Sequence, residues 1–89
     1  MLVREVTICN RRGLHARAAS KFVRLAETFD AEIMVAKDGV EVSGTSIMGL
    51  MMLAAAPGSS ISLSVTGGDA EAALEALVQL VADGFHEDR

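Results

Sequence analysis

Eighty-nine residues suffice for one domain with one core, and a hydrophobic content of 51% argues against a disordered chain. No apolar run approaches the ~20 residues that cross a bilayer, and an aromatic share of 3%, all of it phenylalanine, leaves the core to Leu, Val, Ile, Met and Ala. A net charge of −4 speaks against a nucleic-acid binder, yet Arg11, Arg12, Arg17, Lys21 and Arg24 cluster in a stretch without acids, while six of the twelve acids lie at or beyond Asp69. Such a basic patch suits an acidic protein surface, although charge alone leaves an ordinary solvated helix face equally open. The first residues lack an apolar signal region, and the single cysteine, Cys9, cannot form an internal disulfide. The expectation is a cytoplasmic single domain over residues 1–89, with Cys9 as a small half-buried strand residue.

In chain order, residues 2–9 read as a strand with Leu2, Val6 and Ile8 on one face, and residues 10–13 as a turn. A helix follows over residues 16–28, where Ala18, Phe22, Leu25 and Phe29 form an apolar stripe beside a polar one of Arg17, Lys21 and Arg24. Strands over 31–37 and 40–43 are joined by Asp38-Gly39, a two-residue hairpin signal. That turn sets Lys37 opposite Val40 and Val35 opposite Val42, so Ile33, Val35, Val40 and Val42 share a face.

A short helix is expected at 46–54, with Ile47, Leu50 and Ala54 toward the sheet. In residues 60–66, Ile61, Leu63 and Val65 alternate with three serines and a threonine, so the sheet is covered on one side only. Asp69 is placed to N-cap a last helix that runs to about Asp83 and stops at Gly84. Its inner face is Ala70, Ala73, Leu74, Leu77 and Val81. The order β-α-β-β-α-β-α predicts an α+β open-faced sandwich, a four-stranded sheet with three helices on one face.

Chemistry concentrates in Gly13-Leu14-His15-Ala16-Arg17. His15 falls at a helix start, where N–H groups lack intrahelical partners and the macrodipole is positive. That environment opposes protonation and favours the nucleophilic form of imidazole, while the exposed amides of Ala16 and Arg17 and the Arg17 guanidinium suit an anion. On its own, a histidine at a helix start is more often structural or merely exposed. A metal site is disfavoured, because no cysteine or further histidine stands at ligand spacing and His86 lies in an acidic tail.

The segment NRRGLHARAA, residues 10–19, resembles the phosphorylation-site motif of HPr, the histidine-containing phosphocarrier family of the bacterial phosphotransferase system. Similarity spans essentially the whole chain and returns at Gly44-Thr45-Ser46-Ile47-Met48-Gly49-Leu50-Met51, which resembles the family's regulatory-serine region. The resemblance implies an antiparallel sheet and a carrier that is not itself an enzyme and needs no cofactor. It implies that enzyme I delivers a phosphoryl group to Nδ1 of His15, that Arg17 neutralises it, and that a IIA domain or protein receives it. It also implies regulatory phosphorylation of Ser46 by an HPr kinase/phosphorylase. Two departures stand out: Ala18 replaces the usual proline, and Arg12 a small hydroxyl residue. Phe29-Asp30-Ala31-Glu32 and Gly84-Phe85-His86-Glu87-Asp88 are reminiscent of the nitrogen-related branch, without separating it from the sugar branch.

Six large apolar residues within 47–53 exceed what one buried face needs, so methionines are expected at the surface, where thioethers repack easily against partners. Deeper burial of the same helix is the alternative. The expected docking residues are Lys21, Arg24, Ile47, Met48 and Met51, on a monomer without nucleic-acid or membrane partners. Two other functions are weighed. A purely regulatory binding module of this fold would not need His15, and a small hydrolase or kinase would need a nucleotide loop or an acid/base pair.

Overall fold

Alternation in the strand Ser60–Thr66 organises the whole molecule. Ile61, Leu63 and Val65 are buried, and the intervening hydroxyl residues face away from the core. In this computed structural model, which describes residues 1–87, the elements are β1 (Leu2–Thr7), α1 (Ala16–Ala26), β2 (Glu32–Lys37), β3 (Val40–Ser43), α2 (Ile47–Met52), β4 (Ser60–Thr66) and α3 (Ala70–Ala82), followed by a 3₁₀ turn, Gly84–His86. The antiparallel sheet has the order β1-β4-β2-β3, with β4 and β2 central. The helices lie on the apolar face, as expected for an open-faced sandwich. The hairpin register also holds, with Lys37 opposite Val40 and Val35 opposite Val42.

The core joins Phe22, Leu50, Leu77 and Phe85 to the inner residues of β2 and β4. α1 buries Ala18, Ala19, Phe22, Val23 and Ala26, and α3 buries Ala73, Leu74, Leu77, Leu80 and Val81. Leu2 and Val40 share the inward register but remain exposed on the edge strands.

Several expected boundaries move inward for local reasons. β1 ends at Thr7, although Ile8 still donates to Ser59 O and accepts from Gly58 N. Cys9 therefore lies beyond the strand, and it is exposed, with its Sγ 3.3 Å from Val81 O. α1 stops at Ala26 because Thr28 draws Leu25 O to both its N–H and its hydroxyl. Ala54 adopts φ +51, which ends α2 and leaves Ala54 exposed, and Leu53 is buried in its place. Ile47 is likewise exposed rather than turned to the sheet. Asp69 occupies the N-cap of α3 without a side-chain cap bond, because its carboxylate accepts from Asp30 N at 2.7 Å.

Gly84 ends α3 with φ +63, as expected, but the chain then folds back and buries Phe85 completely at φ +56. A left-handed conformation costs a non-glycine residue about 1–2 kcal/mol. Full burial of a phenylalanine side chain returns about 1.5–3 kcal/mol, so packing holds the turn.

Gly13 carries the tightest backbone approach near His15. Its φ is +67, and a Cβ there would lie 2.5 Å from Ala55 O. Gly58, at φ +89, has open space around it. Gly13→Ala should destabilise the protein by at least about 1–3 kcal/mol in urea unfolding, and clearly more than Gly58→Ala. Equal losses would show that the Ala55 contact is not tight.

Candidate functional site

The loop before α1 is held from within. Asn10, fully buried, donates from Nδ2 to Gly13 O at 2.8 Å, and Gly13 N donates back to Asn10 O. Leu14 is buried, and its N–H donates to Ala55 O at 2.9 Å. These bonds deliver His15 to the N-cap of α1 with extended φ and ψ of −82° and −178°. Its carbonyl accepts from Ala19 N, and its Nδ1 accepts from Arg17 N at 3.3 Å. That distance is long for an N–H bond, so the contact is readily exchanged.

With Nδ1 as acceptor, the ring proton resides on Nε2, and Nε2 meets Glu87 Oε2 in a short contact. The side chain of His15 remains 23% exposed. Ala16 and Ala18 lie in the first turn, where N–H groups have no intrahelical acceptors. Ala18 thus keeps a donor that proline would remove.

Glu87 was not foreseen among the site residues. It reaches His15 because the Gly84–His86 turn reverses the chain, Phe85 anchors that turn, and Lys21 Nζ donates to Phe85 O at 2.6 Å. Its other oxygen accepts from Asn10 Nδ2 at 3.0 Å. Burial raises the Glu87 carboxyl, but hydrogen bonds from Asn10 and His15, then electrostatic attraction to His15 and Lys21, outweigh burial and hold it below the ordinary 4.5. The sequence signal was an acid shortly after a helix-stopping glycine, and nothing in its spacing pointed to residue 15.

Arg11, Arg12, Arg17 and Lys21 line one cleft of about 420 Å³ with His86 and Glu87. Arg17 is exposed, and among the described residues none accepts a bond from its guanidinium. Lys21, expected at a docking surface, is half-buried and committed to the Phe85 carbonyl instead. His86 is exposed, with Nδ1 4.0 Å from Asp83 Oδ2.

A second surface surrounds the start of α2. Ser46 alone caps this helix, its Oγ accepting from Gly49 N at 2.9 Å, while the Thr45 hydroxyl bonds Ser43. Met48 and Met52 are 77% and 74% exposed, and Ile47 and Met51 are also exposed, which removes the deeper-burial alternative. Arg24, Ser46, Ile47 and Met48 line one groove between α1 and α2. Among the described residues no helix is long and apolar enough to cross a membrane.

This geometry coincides with a known pattern. The family model for the PTS HPr component phosphorylation site matches residues 2–83. The chain belongs to the HPr family. It is 45% identical over 87 residues to phosphocarrier protein HPr of Cupriavidus necator, covering 98% of each chain. It is 49% identical over 86 residues to phosphocarrier protein NPr of Shewanella violacea, covering 97% of this chain and 94% of that one. HPr from Thermoanaerobacter tengcongensis superimposes with a TM-score of 0.95 at 42% identity, with both chains fully covered. The HPr family comprises phosphocarriers of the phosphotransferase system rather than enzymes, and both HPr and NPr names occur among the relatives.

The lowered Glu87 carboxyl predicts a pH-dependent stability. A carboxyl depressed by folding contributes stability that is complete above its unfolded value and lost as pH falls through its folded value. The stability difference between wild type and Glu87→Gln should therefore be present above the ordinary carboxyl value of 4.5 and shrink as pH falls below it. Urea unfolding across that range reads it, and a difference that grows on acidification would reverse the assignment.

Proposed function

We propose that His15 accepts a phosphoryl group on Nδ1 from phosphorylated enzyme I and passes it to a IIA domain or protein. The observation that carries this reading is the Nδ1 lone pair, directed at the Arg17 N–H in the first turn of α1. As the donor's bond to phosphorus breaks and the bond to Nδ1 forms, Nδ1 releases the Arg17 N–H. The freed N–H can then meet a phosphoryl oxygen, together with that of Ala16 and the Arg17 guanidinium. Arg11 and Arg12 add positive potential around the same cleft.

The test is incubation with phosphoenolpyruvate and enzyme I, followed by intact mass before and after acid treatment. Wild type should gain one acid-labile phosphoryl group, His15→Ala none, and His86→Ala the same as wild type. An acid-labile gain on His15→Ala would refute the assignment.

The groove between α1 and α2 supports a docking role for Arg24, Ile47 and Met48, and exposure supports one for Met51, with Lys21 acting from behind as the clamp on Phe85. Ser46 sits within that groove, which supports a regulatory phosphorylation by an HPr kinase/phosphorylase. A phosphoserine would add about −1.5 to −2 charges beside Arg24, Ile47 and Met48. At a helix start this charge is locally tolerated, so the effect falls on partners more than on the fold. Ser46→Asp should slow transfer from phosphorylated enzyme I while leaving the melting temperature unchanged or higher. Unchanged transfer would reduce Ser46 to a cap.

A further inference from the structure

The contact between His15 and Glu87 joins two segments that are far apart in the chain and uses the ring nitrogen that the proposed transfer leaves alone. Two features show that Glu87 is placed rather than merely nearby. Its Oε1 is fixed by the buried Asn10 amide, which also holds Gly13 O in the loop that presents His15. Its backbone follows the buried Phe85, whose carbonyl is clamped by Lys21. The glutamate side chain is only 14% exposed, so its carboxylate is poorly screened.

A carboxylate held against one imidazole nitrogen fixes the tautomer, fixes the ring plane and makes the other nitrogen more electron-rich. From this arrangement we infer that Glu87 is a positioning residue for His15, keeping the proton on Nε2 so that Nδ1 always presents its lone pair at the start of α1. The inference rests on His15 being the phosphoryl acceptor. In that transfer the Nε2 proton does not move: the donor's bond to phosphorus breaks, the bond to Nδ1 forms, and the ring gains positive charge. Glu87 faces that charge through the Nε2–H.

The role predicts a spectroscopic signature that exists before any phosphorylation. In protein with ¹⁵N-labelled histidine, His15 of wild type should show a protonated Nε2 and an unprotonated Nδ1. Glu87→Ala should convert this to a mixture of tautomers. Glu87→Gln keeps a hydrogen-bond acceptor at nearly the same shape and should retain most of the preference. With enzyme I and phosphoenolpyruvate, Glu87→Ala should lower kcat for phosphoryl acceptance by about tenfold, as removal of a carboxylate behind an oriented imidazole commonly does. The KM for the carrier should stay unchanged, and Glu87→Gln should fall between.

A Glu87→Ala protein with the wild-type tautomer, or with a loss confined to KM, would overturn the inference. Wild type with the expected tautomer but no phosphoryl group on His15 would instead overturn the assignment of the acceptor and leave the positioning contact standing. Folding of each variant is read in the same spectra, and the near-isosteric Glu87→Gln keeps the test valid if Glu87→Ala unfolds.

Discussion

One buried amide sets the position of His15. Asn10 is the only buried polar side chain among the described residues, and its Nδ2 donates both to Gly13 O and to Glu87 Oε1. Leaving those buried Nδ2 donors unpaired would cost about 1–3 kcal/mol, so the loop before α1 and the segment after α3 are constrained to meet there, although the Asn10 Oδ1 itself finds no partner among the described residues. Gly13 is the second half of the constraint. Its positive φ and its approach to Ala55 turn the chain so that Leu14 enters the core and His15 stays at the rim. The sheet and helices supply the walls, but this loop fixes which atoms of the histidine face the helix start.

The sheet was legible because period-two patterning is a strong signal when one face is buried. The serines of β4 marked the outer face, and Asp38-Gly39 pinned the hairpin register to the residue. The helix ends were less legible because they depend on bonds that arise only in the fold. Asp69 looked like a cap, yet its carboxylate is taken by Asp30 N, a residue brought beside it by the packing of β2 against β4. Ala54 had helical spacing, yet its positive φ removes it from the apolar face, and no local residue type announces that conformation. Leu53 fills the place because the core needs a side chain one position earlier in the turn.

The site divides along the same line. His15, Arg17 and the N–H groups of Ala16 and Arg17 are neighbours in sequence, so a helix start preceded by a turn glycine was enough to read their arrangement. Glu87, Phe85 and Lys21 are linked only through tertiary structure. Lys21 was visible as a cation on a polar stripe, and its consumption by the Phe85 carbonyl depends on a turn after α3 that residue types alone did not reveal. A glycine followed at once by a large apolar residue was the available hint that the chain returns to the core.

Four cations in one cleft repel one another, and an acidic group among them relieves that strain. The difficulty is that an anion close to the proposed phosphoryl acceptor also opposes the incoming charge. The imidazole ring separates the two demands. Glu87 occupies the Nε2 side, whereas the N–H of Arg17 and the start of α1 lie on the Nδ1 side. In the proposed transfer, a carboxylate on the Nδ1 side would have to be displaced each time. On the Nε2 side it can stay in place under that proposal, compensating the cations when the ring is unmodified and the ring's own positive charge if Nδ1 is occupied. Ala18 belongs to the helix side alone, since its retained N–H adds a donor to the first turn of α1. The two nitrogens are therefore tuned by different parts of the chain, the first turn of α1 for one and the turn after α3 for the other.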